Sequence, residues 1–200
     1  MTPSEYRLRC QCGTVQGVLT NLASTNRVVC YCKDCQAFAH ALGQSDSVLD
    51  SRGGSDIVQA LPRDLRFTQG LDAVACLRLT PKGLFRWYAG CCRTPIGNTL
   101  STPKWSFIGL VHTCLDSSEV SLDEAFGPVR TLAHTKGALG DPKPKEKGIG
   151  RTIGWFLRTT LKARLNGDYK RSPFFSPTTG AAIVTPRVLT SDAGLPPGAR

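Results

Sequence analysis

Nine cysteines constrain this chain more than any other feature of its sequence, because seven of them fall into three short clusters. The clusters hold Cys10 and Cys12, then Cys30, Cys32 and Cys35, then Cys91 and Cys92. A disulfide requires a Cα separation of about 4.4–6.8 Å and a defined dihedral angle, which cysteines separated by one residue rarely meet. Thiolates that converge on one metal ion suit such spacings, and the lack of a longer iron–sulfur cysteine run favours zinc. We therefore expect zinc as the cofactor rather than a disulfide framework.

The first cluster lies in a segment whose pattern predicts a strand followed by a turn. Side chains alternate along a strand, so Cys10 and Cys12 are expected on the same side of residues 5–19. Gly13 follows directly and permits the tight turn that a metal knuckle needs. This segment is predicted to supply one half of a metal site.

The second cluster brings three thiols together within a span of six residues. In residues 27–42, an apolar strand start leads into Cys30, Cys32 and Cys35, and an Ala-rich, helix-forming stretch follows. His40, five residues beyond Cys35, could supply a further ligand or carry a proton, although a lone histidine of this kind is more often partly exposed or simply hydrogen-bonded.

The segments that follow these two clusters are typical of β-strands. They are short, often alternating, rich in β-branched or aromatic residues, and separated by Gly, Pro or Asp. The pattern continues to a strand-like stretch at 104–115, so we predict a mainly β domain over residues 1–116. Cys76 and Cys114 lie in apolar patterns of this domain and are predicted to be buried as small hydrophobic side chains.

Residues 117–200 are predicted to form a basic extension with a helix and a Pro- and Gly-rich tail, in which residues 181–189 could supply one short strand. A Pro/Gly/Lys linker precedes residues 149–165, where apolar residues recur at helical spacing. Those apolar residues are Ile149, Ile153, Phe156, Leu157, Leu161 and Leu165. Residues 136–171 carry ten Lys or Arg against three Asp or Glu, so most of the formal net charge of +10 is local. We favour the interpretation that this charge belongs to a solvated helix face beside a lysine-rich linker. The alternative is an acidic partner, which would be nucleic acid, an anionic membrane surface or an acidic small thiol such as glutathione.

The apolar residues are too dispersed for a membrane-spanning helix. No segment approaches the roughly 18 consecutive apolar residues that such a helix needs. The N-terminal residues also lack the apolar stretch of a secretory signal. We therefore expect no membrane span and a cytoplasmic location.

The order and spacing of the three cysteine clusters resemble the glutathione-dependent formaldehyde-activating enzyme (Gfa) family, which also contains a vertebrate centromere protein. The elements that carry the resemblance are Cys10-x-Cys12-Gly13-x-Val15, Cys30-x-Cys32-x-x-Cys35-Gln36 and the aromatic-led stretch FRWYAGCCRTP. The resemblance covers about residues 6–115. It implies a zinc-stabilised, β-tent-like assembly of small curved antiparallel sheets, to which this chain adds its α-helical C-terminal extension.

The resemblance also implies two zinc sites. In the family, the first C-x-C pairs with a later C-x-x-C to close a structural site, while the C-x-C-x-x-C knuckle holds a second zinc through three thiolates. Cys30, Cys32 and Cys35 match this knuckle, whose open position would take a substrate thiol or water. The later motif differs, because Ala89 takes the place of its first cysteine and Arg93 stands where a glycine is usual.

Cys91 and Cys92 leave two arrangements open. Lined up on the family pattern, Cys92 is the second cysteine of the later motif and Cys91 is additional. On an extended segment the two face opposite ways, so Cys92 would join Cys10 and Cys12 while Cys91 turns toward the knuckle. With a turn at Gly90, both would join the first site and leave the knuckle open. Two closed sites would need eight thiolates and the clusters offer seven, so at least one site lacks a ligand.

The resemblance implies a carbon–sulfur lyase that acts on a thiol–aldehyde adduct such as S-hydroxymethylglutathione. Cys30, Cys32 and Cys35 would then be the catalytic set, because an open three-thiolate zinc can bind a small thiol such as glutathione as its thiolate. The alternative is a noncatalytic, zinc-stabilised binding module whose basic helix contacts nucleic acid or another acidic partner. A reachable open position at the knuckle favours the enzyme, and a closed tetrahedron favours the module.

Overall fold

The computed structural model describes residues 3–189, which form two β-sheets and few helices. The strands are β1 (Glu5–Arg9), β2 (Gln16–Thr20), β3 (Asn26–Cys30), β4 (Ser55–Ala60), β5 (Leu65–Gln69), β6 (Val74–Arg78), β7 (Phe85–Ala89), β8 (Pro95–Thr99), β9 (Ile108–Val111), β10 (Thr131–Ala133) and β11 (Arg187–Val188). The helices are α1 (Lys33–Ala41), α2 (Ser45–Val48), α3 (Leu122–Phe126) and α4 (Ile149–Leu165). Single turns of 3₁₀ helix occupy Leu22–Ser24, Pro62–Asp64, Leu71–Ala73, His112–Cys114, Thr135–Gly137 and Asp168–Lys170. The mainly β class predicted from the sequence is confirmed.

The two sheets differ in size and in the direction of their pairings. The smaller sheet is antiparallel, with three strands in the order β1-β2-β5. The larger sheet has eight strands in the order β10-β3-β4-β9-β8-β7-β6-β11. Its six central strands pair antiparallel, whereas β10 pairs parallel with β3 and β11 pairs parallel with β6. The predicted antiparallel pattern therefore stops at the edges, where both strands return from the C-terminal extension by long connections.

One hydrophobic core joins the sheets to the C-terminal extension. Trp87 on β7 is completely buried, and its indole N–H donates to Thr99 Oγ1 on β8 at 3.0 Å. Phe174 packs against it, with ring centroids 4.7 Å apart. The predicted division of the chain after residue 116 stays a prediction, and side chains from both sides of it share this core. The predicted tail beyond residue 189 lies outside the described residues.

Two further sequence predictions are confirmed in the described part of the chain. Cys76 and Cys114 are both buried in the core. Strand β11 falls within the segment 181–189 that was expected to supply a short strand. Between residues 3 and 189, no helix combines the length and the apolar content that crossing a bilayer requires.

Candidate metal centres

Four cysteines from the two sheets meet in one cluster, which we call the four-cysteine cluster. Cys10 and Cys12 follow β1, and Cys91 and Cys92 lie in the turn between β7 and β8. Their sulfur atoms all lie within 4.8 Å of one another, with Cys12 Sγ 3.3 Å from Cys91 Sγ and Cys10 Sγ 3.6 Å from Cys12 Sγ. Of the two arrangements that the sequence left open, the structure has the one in which both adjacent cysteines join the first pair.

The turn that brings Cys91 and Cys92 together depends on Arg93. This residue adopts the left-handed conformation, with φ of 59°, and its N–H donates to Ala89 O at 2.8 Å. A non-glycine residue pays a steric cost of about 1–2 kcal/mol in this conformation. The turn therefore carries a local backbone cost that the rest of the fold offsets.

Hydrogen bonds to sulfur distinguish the members of the four-cysteine cluster. The Cys12 thiol is exposed and lies 3.2 Å from the Thr14 hydroxyl, whose hydrogen bond lowers the pKa of Cys12 to about 6. Cys10 is buried and its sulfur accepts from Val15 N–H at 3.2 Å. Burial nevertheless raises the pKa of the Cys10 thiol. Backbone N–H groups directed at sulfur stabilise thiolates, the form that binds a metal ion.

The other three clustered cysteines form the knuckle that the sequence predicted. Cys30 ends β3, Cys32 is the N-cap of α1, and Cys35 lies in the first turn of that helix. Their sulfur atoms lie within 4.8 Å of one another, and Cys32 Sγ accepts from the backbone N–H of Cys35 at 3.4 Å. The N-terminal end of a helix carries partial positive charge, so it favours thiolates at these positions.

The pKa values of the knuckle thiols are shifted in opposite directions. Hydrogen bonding from Cys30 and then from Cys35 lowers the pKa of the Cys32 thiol far below its usual range. The same interaction with Cys32 raises the pKa of Cys30. These interactions favour the thiolate form at Cys32 over the thiolate form at Cys30.

The three knuckle thiols line a cavity of about 780 Å³. Arg86 on β7 lines the same cavity and is only 2% exposed. Its guanidinium donates to Asn98 Oδ1 at 3.0 Å and to Asp34 Oδ2 at 3.4 Å, and it lies over the ring of Phe38. His134 from the C-terminal extension is also part of the cavity wall. The cavity thus combines three thiols, a buried cation and an imidazole.

Sequence reasoning did not single out Arg86, Asn98 or His134 for this site. Arg86 interrupts the apolar run of β7, and that interruption was the available signal. His134 had no such signal, because its place depends on β10 pairing with β3 beside the knuckle. His40 is exposed on α1, which agrees with the interpretation favoured from the sequence, and it does not line this cavity.

Comparison with known proteins gives a family for this chain. A search among curated proteins finds no match. The crystal structure of a Rhodobacter sphaeroides protein, determined as a Northeast Structural Genomics target, is 18% identical with a TM-score of 0.40, and the match covers 64% of this chain and 98% of that one. The sequence model of a family of unknown function, DUF6151, matches residues 4–184. The chain therefore belongs to the DUF6151 family.

Proposed function

We propose that this protein binds two zinc ions, one structural and one reactive, and that the reactive centre makes or breaks the adduct between a small thiol and an aldehyde. The structural centre would be the four-cysteine cluster, and the reactive centre would be the knuckle of Cys30, Cys32 and Cys35. One observation carries the proposal. The knuckle offers three thiols to a metal ion and lines a cavity of about 780 Å³ that could admit a substrate.

The donor atoms of the four-cysteine cluster fit zinc. Sulfurs about 2.3 Å from a tetrahedral zinc ion lie about 3.8 Å from one another. Four of the sulfur–sulfur distances in the cluster run from 3.3 Å, between Cys12 and Cys91, to 3.9 Å, between Cys10 and Cys91, and all of them are within 4.8 Å. Four thiolates complete a tetrahedron, so this site suits a structural zinc that binds no substrate.

The knuckle fits a zinc ion that keeps one position free. Within residues 3–189, its group of potential ligands contains Cys30, Cys32 and Cys35 and no fourth member. Catalytic zinc sites have three protein ligands and leave the remaining position to water or substrate. A zinc ion bound there would supply the charge that keeps a substrate thiol ionised near neutral pH.

The reaction needs a proton carrier and no oxidant. When a thiol adds to an aldehyde, a carbon–sulfur bond forms, the S–H bond breaks, and the carbonyl oxygen gains the proton. The lyase direction reverses each of these changes. His134 lines the cavity, and an imidazole can both accept and donate a proton, so we assign the proton transfer to His134.

Arg86 is the residue best placed to anchor a charged substrate. A guanidinium has five N–H groups, and the hydrogen bonds of Arg86 to Asn98 and Asp34 use two of them. Asp34 is largely exposed, so its carboxylate balances the buried charge only weakly. A carboxylate on the substrate would pair with this cation inside the cavity, where such a hydrogen bond is strongest.

Replacing Cys35 with serine should remove the metal ion from the knuckle and leave the one in the four-cysteine cluster. We expect the wild-type protein to contain about two zinc ions per chain and Cys35→Ser about one, with the fold retained and thiol binding lost. Elemental mass spectrometry measures the number of zinc ions per chain, and circular dichroism shows whether the fold is retained. Calorimetry measures the affinity for the thiol, and NMR measures the rate at which a thiol and formaldehyde form the adduct. Cys76→Ala, a change at a buried cysteine outside both clusters, should keep both zinc ions and thiol binding.

The noncatalytic module makes the opposite prediction for Cys35→Ser. A variant that unfolds, or a wild-type protein with two zinc ions that neither binds thiols nor speeds adduct formation, would contradict the enzyme and favour a purely structural knuckle.

The charge of the substrate offers a separate test of Arg86. We expect 3-mercaptopropionate to bind about 10–100 times more tightly than the uncharged 3-mercapto-1-propanol, because a charged hydrogen bond contributes about 1.5–3 kcal/mol. Arg86→Gln should remove this preference, whereas Arg66→Gln, at an exposed arginine outside the cavity, should keep it. Calorimetry on zinc-loaded protein measures both affinities. Equal affinities in the wild type would show that Arg86 does not anchor the substrate.

A further inference from the structure

Helix α4 is attached to the protein by a face made largely of small and aromatic residues. Thr160 and Ala163 are its buried positions. The indole N–H of Trp155 donates to Ser24 O at 2.7 Å, and the ring of Phe156 stacks on Trp105 with centroids 6.1 Å apart. At about 100° per residue these side chains lie on one side of the helix, which fixes the side that faces the body of the protein.

The opposite side of α4 carries aliphatic residues four positions apart, which we call the apolar stripe. Its members are Ile153, Leu157, Leu161 and Leu165, which are 53%, 55%, 60% and 81% exposed. All four are more exposed than any large hydrophobic residue outside α4 in the described residues apart from Leu139, which is 55% exposed. A contiguous row of exposed aliphatic residues is unusual on a monomer and marks a surface that something covers.

The charged residues that border the apolar stripe are all cationic. Arg151, Arg158, Lys162 and Arg164 are all exposed, and α4 contains no Asp or Glu. Within residues 3–189, none of these four forms an ion pair with a carboxylate. The stripe is therefore flanked by charges that no group of the described chain neutralises.

A cavity of about 690 Å³ lies along the cationic edge of α4. Arg130, Arg151 and Arg158 line it together with Trp155, and Glu124 is its acidic residue. Arg27 is a fourth arginine of the wall, but two aspartates already balance its charge. The other three arginines outnumber the single carboxylate, so the cavity suits an anionic group of moderate size.

We propose that α4 is a docking surface for an anionic lipid bilayer. The helix would lie in the plane of the interface, with the apolar stripe in the boundary between headgroups and acyl chains and the cations against lipid phosphates. The cavity lined by Arg130, Arg151 and Arg158 would receive a headgroup. Long cationic side chains suit this geometry, because their stems cover apolar surface while their charges remain in the headgroup layer.

The charges on α4 favour a bilayer over the other occupants. A second copy of the chain would place four cations against four cations across the stripe, which is repulsive. Nucleic acid would pair with the arginines but would leave the aliphatic stripe in water. An anionic bilayer matches both the apolar and the cationic part of this surface.

Flotation with lipid vesicles tests the proposal on the full, zinc-loaded chain. We expect binding to vesicles of phosphatidylcholine and phosphatidylglycerol (3:1) but not of phosphatidylcholine alone, and weaker binding at high salt. The double variant Leu157→Ser/Leu161→Ser and the double variant Arg151→Gln/Arg158→Gln should each lower the binding at least tenfold. Leu71→Ser and Arg66→Gln alter an exposed leucine and an exposed arginine on other elements, and they should leave binding unchanged.

Three outcomes would overturn the proposal. The first is no binding to anionic vesicles at low salt. The second is a wild-type oligomer that the stripe variant converts to a monomer, which would identify a second copy as the occupant. The third is binding to duplex DNA that depends on the arginines while the stripe variant behaves as wild type, which would identify a nucleic-acid surface.

Discussion

A chain that carries Cys10→Ser is expected to be unfolded at 25 °C. Cys10 follows β1 of the three-stranded sheet, whereas Cys91 and Cys92 follow β7 of the eight-stranded sheet. The four-cysteine cluster therefore ties the two sheets together. Structural zinc contributes about 10–16 kcal/mol to folding, which equals or exceeds the total stability of about 5–15 kcal/mol of a typical domain.

The measurement for Cys10→Ser pairs metal content with far-ultraviolet circular dichroism and urea unfolding. Because Cys10 is also a buried core residue, a second experiment separates the metal from the packing. Wild-type protein treated with a strong chelator should unfold when the four-cysteine cluster loses its metal, and it should refold when zinc is restored. A Cys10→Ser chain or a fully metal-free wild-type chain with a native spectrum and unchanged urea midpoint would exclude a structural role for this cluster.

The cysteine spacing predicted which thiols lie near one another, but it could not choose between the two arrangements of Cys91 and Cys92. The choice depends on the conformation of Arg93, which is left-handed. Gly90 made a turn one of the two alternatives, but a non-glycine residue such as Arg93 is uncommon in the left-handed region, so the local sequence did not favour that alternative. The conformation of this turn is a property of the whole fold that the cysteine spacing did not reveal.

The cavity beside the knuckle was harder to predict than the knuckle itself. Cys30, Cys32 and Cys35 lie within one short segment, so their convergence is a local property. Arg86 and His134 reach the same cavity only through sheet pairings, since β7 and β10 are distant from the knuckle in sequence. Strand β10 has three residues, too few for any periodic pattern to reveal it.

The orientation of helix α4 could not be predicted from its sequence pattern. Periodicity predicted the positions of its apolar residues, and it did not indicate which side faces the protein. Its buried positions are the small residues Thr160 and Ala163, so the inward side is not the most aliphatic one. The aliphatic residues Leu157 and Leu161 then face outward, and the usual assumption that an apolar face packs inward would be wrong here.

Replacing Phe174 with alanine should lower the free energy of unfolding by about 3–5 kcal/mol, the usual cost of removing a fully buried aromatic ring. The Phe174 ring lies 4.7 Å from that of Trp87 and 5.6 Å, edge-on, from that of Phe67. Phe67 belongs to the smaller sheet and Trp87 to the larger one, so Phe174 fills the space between the sheets from the C-terminal extension. Neither sheet can close over the resulting void alone, because each is held by its own hydrogen-bonded ladder.

Urea unfolding of zinc-loaded protein measures this loss, and Ile183→Ala is the matched control. Ile183 lies on the same C-terminal segment but is exposed, so its replacement should change the free energy of unfolding by about 0.5 kcal/mol or less. If Phe174→Ala lowered the free energy of unfolding no more than Ile183→Ala does, the C-terminal segment would be an appendage rather than part of the core. A large loss for Phe174→Ala alone would establish that the two sheets depend on a residue well beyond the cysteine clusters. The part of the chain that contains the cysteine clusters would then need the C-terminal extension in order to be stable.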